Sequence, residues 1–267
     1  MITIKSAREI ELMRKSGKVT AKTLSRLIDA AKPGVSTSEL DRIAEESIRS
    51  MGGVPTFKGY NGYPASICTS VNEQVVHGIP GPYVLRDGDL LSIDIGTTLE
   101  GYVSDSAVTL ALGNVPANAR KLLAVTQECL MLGIAQMRIG NHLGDIGAAV
   151  QHHAEQNGFG VVRDLVGHGI GTRMHEEPQV PNYGKAGQGL ELRAGLVLAI
   201  EPMITEGTWR VRTLTDGWTV VSDDGKLAAH FEHTIAITDE GPRILTLREI
   251  CEHADVERYR PAAEAAA

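Results

Sequence analysis

The feature that most constrains this chain is a phrase it uses twice. VNEQVVHGI at residues 71–79 returns as VRDLVGHGI at 162–170, so that His77 and His168 stand in matching Val-x-acid-x-Val-x-His-Gly-Ile contexts. The echo continues in order. RDGDLLSID (86–94) aligns with RAGLVLAIE (193–201), and both segments end in a carboxylate, Asp94 and Glu201. VSDSAVTL (103–110) then resembles HFEHTIAI (230–237), centred on Asp105 and Glu232. An ordered series of weak matches carries more weight than any one of them. It implies an internal duplication of roughly 100 residues, and two copies are too few for a solenoid.

The local signals repeat with it. Residues 7–31 place Ile10, Met13, Leu24, Leu27 and Ile28 at helical spacing, and Lys32-Pro33-Gly34 stops the run. Ser36-Thr37-Ser38-Glu39 reads as a capping box opening a helix over 37–51. Strands are predicted at 89–96 and 101–112. A helical stretch over 116–138 restarts the pattern, with a helix at 142–157 and strands near 160–166, 195–201, 208–222 and 228–237. Residues 251–267 read as a mobile tail.

Bulk properties exclude several classes. A net charge of −7 is wrong for a dedicated nucleic-acid binder, which needs clustered Lys and Arg, although it permits transient contact with a ribosome. The first residues are charged throughout and lack the apolar core of a signal peptide. No apolar run approaches the ~18–20 residues of a membrane span. Cys68, Cys129 and Cys251 form no C-x-x-C pair, which argues against a disulfide framework or a zinc knuckle. The expected compartment is the cytoplasm, and nothing demands more than a monomer.

The paired acids carry the chemistry. Asp94 in LLSIDIG and Glu201 in LVLAIEP sit in strongly apolar contexts, where an unpaired carboxylate is costly. A structural salt bridge accounts for one such acid. It does not account for four in symmetric positions with no matching basic residues nearby in sequence. Divalent cations do. Four carboxylates with one or two histidines suit Mn, Fe(II), Co or catalytic Zn. The set exceeds what one ion needs and fits two ions ~3.5–4 Å apart with a bridging water, the machinery of a hydrolase.

The other histidines divide between plainer roles and substrate contact. His152 and His153 lie on a helix and read as a solvated face. His175, in a Gly-rich loop beyond His168, reads as a substrate contact, and its neighbours Glu176 and Glu177 as exposed or supporting it. Strand alternation is expected to turn His230 and His233 away from Glu232, which removes them as ligands. The glycines of GHGIG are too irregular for a phosphate loop.

GYPASICTSVNEQVVHGIP, SIDIG, GHGIG, HEEPQVPNYG, AIEPM, DGWTV and FEHTIAITDEGPRILTL, spread over residues ~5–248, resemble the bacterial type I methionine aminopeptidases. The resemblance implies an α/β (α+β) pita-bread fold, in which two pseudo-symmetric halves form a curved, mainly antiparallel sheet covered by helices. It implies one catalytic domain over 1–250, with halves at about 1–113 and 114–250. The short form without an N-terminal extension is expected.

The same resemblance implies five metal ligands. Asp105 and Glu232 would bridge two divalent ions, Asp94 would complete one shell, and His168 and Glu201 the other. His77 would not be a ligand; with His175 it would contact the scissile amide, while Glu201 would serve as general base. Tyr60, Tyr63, Cys68, Met174 and Trp218 would line the methionine pocket, with Met174 standing where many relatives carry an aromatic. The implied substrates are the N-termini of nascent polypeptides with a small second residue, and the implied cofactors two ions of Co, Mn, Fe(II) or Zn. An Xaa-Pro aminopeptidase or a non-catalytic binding protein of the same fold are the competing expectations.

Overall fold

The structure, a computed structural model, describes residues 2–248; the tail expected at 251–267 lies outside them. The chain opens with α1 (Ala7–Ala30), α2 (Thr37–Ser50), β1 (Val54–Pro55), β2 (Cys68–Val71), β3 (Gln74–Val76), β4 (Leu90–Leu99) and β5 (Tyr102–Ala111). Then follow α3 (Ala117–Ala135), α4 (Leu143–Gln156), β6 (Gly160–Val161), β7 (Gly167–Gly169), β8 (Glu176–Val180), β9 (Val197–Ile200) and β10 (Met203–Thr205). The last elements are β11 (Val211–Thr213), β12 (Val220–Ser222), β13 (Ala228–His230), β14 (His233–Thr238) and β15 (Gly241–Ile244).

Helix starts follow local chemistry. Ser6 and Glu9 form a reciprocal capping box at α1. At α2 the box is only half made: Ser36 accepts from the Glu39 amide, but the Glu39 side chain turns to Arg42.

Every strand pairing described is antiparallel. In the first half β4 carries β5 on one edge and β1 and β2 on the other. In the second half the order is β15-β14-β9-β7-β8. Alternation along these strands sorts their side chains. Leu91, Ile93 and Ile95 of β4, Leu198 and Ile200 of β9, and Ile235 and Ile237 of β14 join Leu24, Leu27, Leu40, Ile48, Leu130 and Ile134 of the helices in one apolar core that runs through both halves. The helix-facing side of β5 carries Ser104, bonded to Ser16 and Thr20 of α1. Asp94, Asp105 and Glu232 have the opposite parity to these core residues, as does Glu201, one step past β9. All four acids are therefore delivered to the face away from the helices.

The expected strands are shorter than the hydrophobic runs suggest. The run over 208–222 is a hairpin of β11 and β12, turned where Asp216 accepts from the amides of Trp218 and Thr219. The run over 228–237 breaks between β13 and β14, at Phe231 and Glu232. β8 is a strand beyond those predicted. Its Pro178 is tolerated because β8 is the edge strand of its sheet.

Candidate active site

The two His-Gly-Ile phrases share one backbone requirement. A Cβ on Gly78 would lie 2.3 Å from the Thr69 carbonyl oxygen, and one on Gly169 would lie 2.3 Å from that of Glu177. Glycine after each histidine lets the chain pass against its neighbour. The histidines themselves diverge. His168 lies within β7, opposite Ala199 of β9, two residues before Glu201. His77 follows β3, which pairs with β12 of the other half, and it adopts a left-handed φ of 60°. That conformation is uncommon for a residue with a Cβ and typical of sites where a side chain must be aimed.

Asp94, Asp105, His168, Glu201 and Glu232 converge at one end of a cavity of about 290 Å³. The Nε2 of His168 lies 3.5 Å from Oε1 of Glu201 and 4.0 Å from Oδ2 of Asp105. Ligand atoms of Asp105, His168 and Glu232 all fall within 4.8 Å of one another. The Nδ1 of His168 is 2.9 Å from the Gly169 carbonyl oxygen, which can only accept, so Nδ1 carries the proton and Nε2 offers a lone pair to the cluster.

The electrostatics are those of a site built for cations. Burial, opposed by the nearby His230, pushes Asp94 up to about 6. Burial pushes Glu201 up to about 8. Asp105 and Glu232 rise well above the ordinary range, first by burial and then by repulsion from their fellow carboxylates. His168 and His77 are each lowered to about 4 by burial, so both are neutral near pH 7. Asp94 Oδ1, Asp105 Oδ1 and Glu232 Oε1 are buried without a hydrogen-bond partner. Buried polar atoms left in this way are costly. Divalent ions satisfy the three oxygens and relieve the repulsion together, so the residues present fit such a centre.

The remaining expected residues line the same cavity, whose walls are His77, Tyr60, Tyr63, Cys68, Met174, His175 and Trp218. Tyr63 and Trp218 meet edge to face with ring centroids 5.0 Å apart. The Tyr60 hydroxyl is 2.7 Å from Nδ1 of His175, and the His175 ring stands 4.3 Å from that of His168. Phe57, Asn61, Val76, Leu165, Val166 and Met203 also line the cavity, beyond the expected set. Val76, Leu165 and Val166 stand within three residues of the two repeated histidines, which is the signal the sequence held for them.

Three features depart from expectation. Glu176 is not exposed but buried against Lys5, with Nζ 2.8 Å from Oε2. His153 is half-buried and pairs with Glu128 at 2.7 Å rather than being fully solvated. His230 does not turn away from the site: its Nε2 is 3.7 Å from Oε2 of Glu201. The strand breaks at Phe231 and Glu232, so alternation does not carry across from β14 to His230 at the end of β13.

Buried carboxylates and one histidine are gathered in one cavity on this antiparallel scaffold, and the comparisons give the family. Metallopeptidase family M24 matches residues 11–239, and the chain belongs to that family. Within it the chain falls among the methionine aminopeptidases. That of Clostridium perfringens is 54% identical over 92% of this chain and 99% of its own length. Methionine aminopeptidase 1 of Bacillus subtilis is 52% identical over 92% of this chain and 99% of its own. The crystal structure of the Thermotoga maritima methionine aminopeptidase superposes with a TM-score of 0.91 at 45% identity, covering 92% of this chain and 99% of that one. The chain is thus a hydrolase of the metallopeptidase class with the pita-bread fold.

Proposed function

We propose that this chain removes the N-terminal methionine from new polypeptides whose second residue is small. The observation that carries the reading is the join of two features in one cavity: a cluster of buried, unpartnered carboxylate oxygens at one end, and an apolar wall of Tyr60, Tyr63, Cys68, Met174 and Trp218 beside it. The wall suits an unbranched thioether, which packs well against aromatic edges. A cavity of about 290 Å³ lined by both the carboxylates and the apolar wall suits an exopeptidase that holds one side chain beside the chemistry.

In this reading Asp94, Asp105, His168, Glu201 and Glu232 would hold two divalent ions. Bound divalent ions acidify water and polarise a peptide carbonyl. The protein supplies the rest. Glu201, ionised when cations are held beside it, takes a proton from the attacking water and passes it to the departing amine. His77, neutral at working pH, donates a hydrogen bond to the carbonyl oxygen as negative charge develops there. His175, held by Tyr60, steadies the leaving nitrogen. A cytoplasmic, monomeric enzyme that meets nascent chains near the ribosome completes the reading. The described residues include no helix long and apolar enough to cross a membrane.

The test is a mass-spectrometric assay of chelator-stripped protein with Mn(II) or Co(II) restored or withheld, on Met-Ala-Ser, Met-Lys-Ser and Ala-Pro-Ser. Metal-dependent release of methionine from Met-Ala-Ser alone is expected. Cleavage of Ala-Pro-Ser instead would keep the metal chemistry and overturn the substrate. No cleavage with any metal would favour a binding protein.

A further inference from the structure

His230 ends β13 with 1% of its surface exposed, and neither ring nitrogen has a hydrogen-bond partner. Its backbone is clamped. The amide donates to Thr109 Oγ1 at 2.8 Å, and the carbonyl oxygen lies 2.8 Å from the same hydroxyl. The ring therefore has little freedom to seek a partner elsewhere. It points into the carboxylate cluster, with Nε2 3.7 Å from Oε2 of Glu201, about 0.7 Å beyond ordinary hydrogen-bond length.

Glu201 is thus bracketed by two imidazoles of opposite character. Oε1 faces Nε2 of His168 at 3.5 Å, and that nitrogen presents a lone pair because Nδ1 is committed to the Gly169 carbonyl. His168 cannot donate to Glu201, so the pair is joined either by the carboxyl's own proton or by a cation between them. Oε2 faces His230, whose two nitrogens are uncommitted, so its proton is free to sit on Nε2. A donor on one oxygen and a cation site at the other would fix the carboxylate plane.

We propose that His230 is a positioning residue for Glu201, donating its Nε2 hydrogen to Oε2 and so turning Oε1 toward the metal centre. The inference rests on the reading that the five residues named above hold metal. It accounts for a buried imidazole that would otherwise be an uncompensated polar group. Carboxylates that ligate metals are commonly oriented by such neighbours, and losing one typically costs about 10–100-fold in metal affinity or activity.

The experiment is calorimetric titration of metal-free protein with Mn(II), paired with thermal melts in the absence of metal, on wild type, His230→Leu and His230→Gln. The leucine variant is expected to melt no lower than wild type without metal, since it removes an unpartnered polar group. Its Mn(II) affinity is expected to fall about 10–100-fold. The glutamine variant, which keeps an N–H donor at similar reach, should stay within about threefold of wild type. A merely structural histidine gives the reverse pattern, a lower melting temperature with unchanged affinity, and would overturn the proposal. So would a glutamine variant as weak as the leucine one, which would mark His230 as a ligand. If the leucine variant does not fold, His230→Asn, polar but too short to reach Glu201, replaces it with the same expected loss of affinity. If wild type binds no Mn(II), the metal reading itself falls and takes this one with it; if wild type binds and His230→Leu binds equally, only this one falls.

Discussion

Asp105 and Thr234 exchange two hydrogen bonds across the line between the halves. The Asp105 amide donates to Thr234 Oγ1 at 2.9 Å, and the Thr234 hydroxyl donates to the Asp105 carbonyl at 2.8 Å. Nearby, Ala107 and Glu232 bridge backbone to backbone, and the Ser106 hydroxyl donates to the Glu232 carbonyl at 2.8 Å. Asp105 and Glu232, two of the five residues proposed to hold the ions, are thus fastened to each other's strand rather than merely brought near. Thr234→Val keeps the shape and deletes the hydroxyl. It leaves a buried amide and carbonyl without partners and is expected to cost about 1–3 kcal/mol of stability. Urea unfolding of metal-free protein measures it, and Thr234→Ser should recover most of the loss. A neutral valine variant would show that the hydroxyl bonds do not hold this seam.

A second fastening ties the start of the chain to the pocket. Lys5 Nζ lies 2.8 Å from Glu176 Oε2 and 2.6 Å from the Thr3 hydroxyl, and both charged side chains are buried. Glu176 follows His175 directly. Lys5→Met strands a buried carboxylate and is expected to destabilise the fold by about 3–5 kcal/mol. Lys5→Met combined with Glu176→Gln should lose much less, because breaking a buried pair costs more than neutralising both partners. Denaturant midpoints of the two variants decide it; equal losses would mean that the charge pairing is not what matters here.

Strand positions were legible where an acid closes an apolar run. Asp94 and Glu201 stand out as acids at the ends of apolar runs, and their strands fall where those runs do. What escaped the sequence was set by contacts between distant segments. The buried role of Glu176 depends on Lys5, which lies 171 positions away. β8 forms because β7 is there to pair with it, against the local preference of a proline-containing segment. His77 and His168 look alike in sequence and part company because β3 pairs with β12 while β7 pairs with β9. His230 was a different failure. The chain breaks at Phe231 and Glu232, between β13 and β14, so a single strand period does not describe where its ring goes.

The pocket wall makes a kinetic prediction. Trp218 is half-buried and packs edge-on against Tyr63, and neither ring belongs to the carboxylate cluster. Contact with the substrate side chain is present before and during reaction alike. Trp218→Ala is therefore expected to raise KM for Met-Ala-Ser about tenfold while changing kcat much less. Steady-state kinetics with saturating Mn(II) measure the split. A fall in kcat equal to the fall in kcat/KM would instead make Trp218 a residue that acts in the transition state.

The carboxylate cluster makes a prediction about pH in the window above the histidine range. Glu201 holds its proton up to about 8 in the folded protein against an ordinary 4.5, and Asp105 and Glu232 are raised in the same sense by burial. Raised carboxyls make the folded state bind more protons than the unfolded chain, so their contribution to stability falls as pH rises. His77 and His168, lowered to about 4, act oppositely, but only below their ordinary value of 6.5. Between pH 6.5 and about 8 the carboxyls act alone, and the melting temperature of metal-free protein is expected to fall through this window. Saturating Mn(II) favours the ionised carboxylates and binds more tightly as protons leave, so it should flatten or reverse the slope. Glu201→Gln, which removes one titrating group, should make the metal-free slope shallower. Thermal melts across matched buffers settle the matter: a metal-free melting temperature that rises from pH 6.5 to 8 would mean that these acids are already ionised in the fold, and that something other than a divalent ion balances them.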